Sequence, residues 1–108
     1  MTVDSARVTG LISDLRGQRL MVADANAKLA GMELDRAALK ETVVQELMAG
    51  GMAATPADKA ASRDARVVAA QREIIDATCK RDNLYAGAES LKFQVQLALL
   101  EETAFIGG

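Results

Sequence analysis

Ala49-Gly50-Gly51-Met52-Ala53-Ala54-Thr55-Pro56 is the sharpest interruption in this sequence, and the fold depends on how it is read. Pro56 is the only proline in the chain. Gly50 or Gly51 can close a preceding helix in the left-handed conformation that most residues avoid. Thr55 then suits the N-cap of a new helix and Pro56 its first position, where a missing N–H costs nothing. Asp58 would fall two residues later, where a carboxylate meets the positive end of the helix dipole. The stretch reads as a stop and a restart. It places one helix over about residues 4–49, a turn over about 50–55 and a second helix over about 56–103, all in a single domain spanning 1–108.

Periodicity on both sides supports helix, and the fold class is all-α. Val8, Leu15, Val22, Leu29, Arg36 and Val43 recur every seven residues, with Leu11, Gln18, Ala25, Met32, Leu39 and Glu46 as the companion series. The second segment repeats the pattern with Val67, Ile74, Arg81, Ala88 and Val95, accompanied by Ala70, Ala77, Leu84, Leu91, Ala98 and Phe105. Such mostly apolar a and d positions predict a coiled-coil seam, and a short loop returns one helix on the other as an antiparallel hairpin. Arg36 and Arg81 interrupt the a series. Their stems can lie along the seam with the heads in water or paired to acids such as Glu33, one turn before Arg36. Alternatively they form a polar layer that fixes register.

A second apolar line lies on the far side of the first helix. Leu20, Ala27 and Leu34 occupy f positions, and Ala23, Ala30, Ala37 and Val44 occupy the neighbouring b positions. Gly10, Gly17, Gly31 and Ala38 fill the c positions beside them, with Asp24 as the exception. Each glycine inside a helix costs about 0.5–1 kcal/mol relative to alanine, so their spacing calls for a reason. Small residues on one stripe let another backbone come close. Near the end of the second helix, Phe93, Leu97, Leu99, Leu100 and Ile106 join Val95 and Ala98, making residues 93–106 apolar on most sides. A two-helix hairpin cannot bury both features, so self-association is expected, with a dimeric four-helix bundle as the default. The expected interface comprises Gly17, Leu20, Ala27, Gly31, Leu34, Phe93, Leu97 and Leu100. The alternative is that Gly10 and Gly17 break the first helix, giving a three-helix domain.

Composition narrows the functional classes. The chain has 108 residues, half of them hydrophobic and 26% charged, with a formal net charge of −2. Aromatics make up only 3%, and histidine is absent, which removes the commonest general base and metal ligand. Cys79 is the single cysteine, without a histidine to activate it, and reads as a helix-packing thiol. Glu101-Glu102 lacks metal-ligand spacing, and no phosphate-binding glycine loop follows any strand pattern. No enzymatic activity, metal or cofactor is expected. Lys59, Arg63 and Arg66 form the best candidate nucleic-acid face, yet Asp58, Asp64, Glu73 and Asp76 alternate with the basic residues there. The acidic balance and scarcity of aromatics argue against nucleic acid as the main ligand. No secretory leader or membrane-length apolar run is apparent, so the expected location is the cytoplasm.

The layout has a family likeness. A long helix, the break Met48-Ala49-Gly50-Gly51-Met52-Ala53-Ala54-Thr55, and a helix from Lys59-Ala60-Ala61-Ser62-Arg63-Asp64-Ala65-Arg66-Val67 to Glu89-Ser90-Leu91-Lys92-Phe93 resemble small phage-encoded helical hairpins. Genes for recombination or single-strand annealing often lie near those proteins. The resemblance implies an accessory protein, in the host cytoplasm, that works through a protein partner. It implies a nucleic-acid accessory role or a particle subunit as alternatives, and it brings no catalytic residues. WXG-type secreted hairpins share the length, but this chain has no tryptophan at its turn.

Overall fold

A computed structural model describes the backbone of residues 5–107 and the side chains of residues 6–103. The described chain is all-α, with helices α1 (Ser5–Ala49), α2 (Ala54–Ala61) and α3 (Ala65–Gly107). Helix α1 runs unbroken for 45 residues, so neither Gly10 nor Gly17 interrupts it. It ends where the glycine pair predicts. Gly51 adopts φ +101°, the Gly51 N–H donates to the Met48 carbonyl at 3.0 Å, and the Met52 N–H donates to the Leu47 carbonyl at 3.1 Å. These paired bonds satisfy carbonyls that the helix end would otherwise orphan.

The restart differs from the expectation. The N-cap of α2 is Ala53, without a side-chain cap, so Thr55 and Pro56 sit inside the first turn. Asp58 correspondingly lies beyond the N3 position and instead meets Lys40 of α1 at 3.3 Å. The single second helix is also corrected: it breaks at residues 62–64 into α2 and the 43-residue α3. The Arg63 and Asp64 N–H groups reach back only three residues, to the carbonyls of Ala60 and Ala61. Asp64 then caps α3, its carboxylate accepting from the Arg66 N–H at 2.9 Å. Ala60-Ala61-Ser62-Arg63 has good intrinsic helix propensity, so the break is imposed by the Asp64 cap and by packing.

The chain packs as two compact units. Unit 2, residues 25–79, holds the α1–α2–α3 connections. Its core joins Val43 and Val44 of α1, Ala57 and Ala61 of α2 and Val67 of α3, with Leu39 and Leu47 packed against them. Ala57 and Ala61, one turn apart, have no exposed surface. Their small side chains let α2 lie close against α1, which requires the chain to turn before α3. That closure corrects Val44, which is buried in this core and not part of an outer face.

Unit 1 comprises residues 1–24 and 80–108. Its core joins Leu15 of α1 with Ala88 and Val95 of α3, flanked by Leu11, Val22 and Leu91. A polar contact crosses it: the Gln18 side-chain amide donates to the Leu84 carbonyl at 3.0 Å. A Cβ on Gly87 would stand 2.7 Å from that amide nitrogen, so Gly87 is the vacancy that admits it. The polar layer in the heptad seam is therefore Gln18 opposite Gly87. At the other end of the unit Arg7 pairs with Glu101 at 3.1 Å.

Candidate interaction surface

The residues expected at an interface fall on the outside of both units. Leu20, Phe93, Leu97 and Leu100 of unit 1 are exposed, Phe93 at 67% and Leu100 at 66%. Leu34 of unit 2 is 73% exposed, and Ala27 is exposed as well. A Cβ built on Gly10, Gly17 or Gly31 would meet no atom within 4 Å, so these glycines serve no contact inside the chain. Phe93, Leu97 and Leu100 have a spacing of four and three residues and share one face of α3. That face lies opposite the seam of Ala88, Val95 and Ala98, which are buried. Phe105 and Ile106 lie outside the described side chains. A single chain leaves Phe93, Leu97, Leu99 and Leu100 in water, as expected of a hairpin that cannot bury the end of its second helix alone.

Helix geometry explains why the sequence separates these faces so cleanly. Positions a and d point into a neighbouring helix, whereas f points away, about 140° round from a. In α1, Val8, Leu15, Leu29 and Val43 of the a series are buried, while Leu20 and Leu34 of the f series are among the most exposed large side chains. Sequence reasoning did not single out Ile12, Met21, Ile75 and Tyr85, which are exposed too. Ile12, Met21 and Tyr85 take e and g positions beside the seam and Ile75 a b position on the outer side, where isolated apolar residues form no repeating series.

The basic residues divide differently. Arg66 donates to Glu46 at 2.8 Å and to Asp64 at 3.1 Å, joining the α3 start to the end of α1. Hydrogen bonds from Arg66 hold both the Glu46 and Asp64 carboxyls below their ordinary values, and the two acids raise the Arg66 guanidinium further. Arg66 is therefore committed within the chain, while Lys59 and Arg63 are exposed. Arg81 pairs with its neighbour Asp82 at 3.0 Å, and among the described residues no ion pair joins Arg36 to Glu33. Arg36 instead lies half-buried with its Nε unpartnered, beside Met32, Asp35, Leu39, Ala70 and Glu73. Cys79 is exposed, in contrast to the packed thiol expected.

No described helix is long and apolar enough to cross a membrane. Among the described residues no cluster of three histidine, cysteine or acidic side chains could hold a metal ion. No protein-family model matches the chain, and neither a curated protein nor a solved structure shows significant similarity to it.

Proposed function

We propose that this chain is a non-enzymatic, self-associating helical interaction protein, acting as an accessory factor of a phage or mobile element. The observation that carries the reading is the apolar stripe of Phe93, Leu97 and Leu100, exposed on the side of α3 opposite its buried seam. Burying apolar surface yields about 25 cal/mol per Å², and side chains of this size supply much of the energy of protein interfaces. On this reading α1 and α3 form an antiparallel hairpin, supported by the contacts Arg7 to Glu101 and Gln18 to Leu84. Two hairpins then assemble as a helical bundle. Gly31, with open space beside it, lets a second backbone approach α1, and Ala27 and Leu34 supply the contact.

The test is the mass of variants in solution. Leu97→Gln with Leu100→Gln, and separately Gly31→Leu, should each lower the oligomer mass while far-UV helicity stays close to the parent. A parent-like mass in both variants would refute the assignment of this face. The retention of Arg66 by Glu46 and Asp64 weakens the rival reading of a nucleic-acid face at Lys59, Arg63 and Arg66. A salt-sensitive mobility shift lost with Lys59→Glu and Arg63→Glu would restore it.

A further inference from the structure

Along α1 in unit 1, beside the seam that buries Leu15, the residues Ile12, Leu15, Arg16, Arg19 and Leu20 line an open groove of about 280 Å³. Its floor is aliphatic, and its rim carries two guanidinium groups. Arg16 and Arg19 are neighbours on the helix surface at i and i+3, where like charges repel. Neither has an acid three or four residues away on α1: those positions hold Ile12, Ser13, Leu15, Leu20, Val22 and Ala23, besides the two arginines themselves. Among the described residues neither reaches a carboxylate, whereas Arg7, Arg66 and Arg81 each do.

We propose that this groove docks an acidic amphipathic helix from a protein partner. Ile12 and Leu20 lie eight residues apart along α1, a span of about 12 Å, or two helical turns. A partner helix can set two aliphatic side chains, one turn apart, onto that floor. Carboxylates flanking them meet Arg16 and Arg19, whose planar forks donate bidentately to carboxylate oxygens. Covering the rim with apolar side chains lowers the local dielectric and strengthens those pairs, and it ends the repulsion between the two arginines. A second copy of this chain, whose exposed Leu34 stands between Glu33 and Asp35, is the rival occupant, and the mass of the variant below separates the two. The proposal rests on the reading of the chain as an interaction protein and adds the chemistry of a foreign partner to it.

The probe is a fluorescein-labelled synthetic helix of about four turns, with leucines along one face and glutamates on both flanks, titrated against the full chain by fluorescence anisotropy. Binding should weaken as salt rises, and Arg16→Glu with Arg19→Glu should weaken it at least about tenfold. Lys59→Glu with Arg63→Glu, the same charge change in the other unit, should leave it within about twofold. The counterpart peptide with lysines in place of glutamates should not bind. Equal loss in the two double variants would reduce the effect to net charge and overturn the assignment. So would failure of the glutamate peptide to bind, or binding only to anionic phosphatidylglycerol vesicles. Self-association is read separately from the mass of the Arg16→Glu, Arg19→Glu variant. A parent-like mass keeps the groove apart from the self-interface, and a monomeric mass would assign the groove to a second copy and overturn the proposal.

Discussion

Unit 2 closes its core with segments of three helices, whereas unit 1 has only two. In unit 2, α2 lays Ala57 and Ala61 over Val43, Val44 and Val67, and Val43 and Val67 retain 1% of their surface. In unit 1, Leu15, Ala88 and Val95 keep 5–9%. The same unit leaves Leu20, Met21, Tyr85, Phe93, Leu97 and Leu100 outside. Two helices can bury only the seam between them, so every further apolar residue on their outer faces stays wet. The contrast places the more fully closed core in unit 2 and, among the described residues, leaves more large apolar side chains of unit 1 in water.

Removing methyl groups on each side of this contrast puts it at risk. Val43→Ala should destabilise the chain by about 2 kcal/mol through lost burial and a cavity, measured by urea denaturation. Leu20→Ala, which removes more apolar atoms from an exposed site, should cost less than about 0.5 kcal/mol at protein concentrations where the chain is monomeric. Equal costs would mean that unit 1 holds a core of comparable quality. Next in size is the cap. Asp64→Ala should cost about 1 kcal/mol, because the Arg66 N–H loses its acceptor and the restart of α3 loses its marker.

Gln18 and Gly87 refine the description of unit 1. Gly87→Ala gains helix propensity but displaces the Gln18 amide from the Leu84 carbonyl, so alone it should change stability little. In a Gln18→Ala background the same substitution should stabilise by about 0.5–1 kcal/mol. Additivity in this double-mutant cycle would show that the amide contact fixes nothing. The smallest effect concerns pH. Glu46 and Asp64 are held below their ordinary values of 4.5 and 3.8 by Arg66. Depressed carboxyls stabilise the fold fully above those ordinary values and lose that contribution as pH falls through the lowered ones. Arg66→Gln should therefore flatten the decline in melting temperature below pH 4.5. The exposed setting keeps the change small.

Local periodicity made much of this fold legible in the sequence. The a and d series named the seam of both long helices, and Gly50-Gly51 named the end of α1. The f series named Leu20 and Leu34 as outward-facing. The division of the second helix was not legible, because Ala57 and Ala61 look like any alanines in a helix until their packing against Val43 and Val44 is seen. Asp64 was a usable signal, since Ser62-Arg63-Asp64 offers two residues suited to capping. It was hidden by the strong helix propensity around it and by the charge alternation that also suits a solvated face. Gln18 opposite Gly87 was illegible for another reason: the amide bonds Leu84, 66 positions away, and no periodicity couples a glutamine to a distant glycine.

On the proposed reading, a second copy of the chain covers the outer stripe carried by Phe93, Leu97 and Leu100. Light scattering on a sizing column, at two protein concentrations, addresses this directly against the monomer mass of 11.4 kDa. About twice that mass is expected at the higher concentration, in keeping with two-fold assembly. A monomer at both concentrations would contradict it.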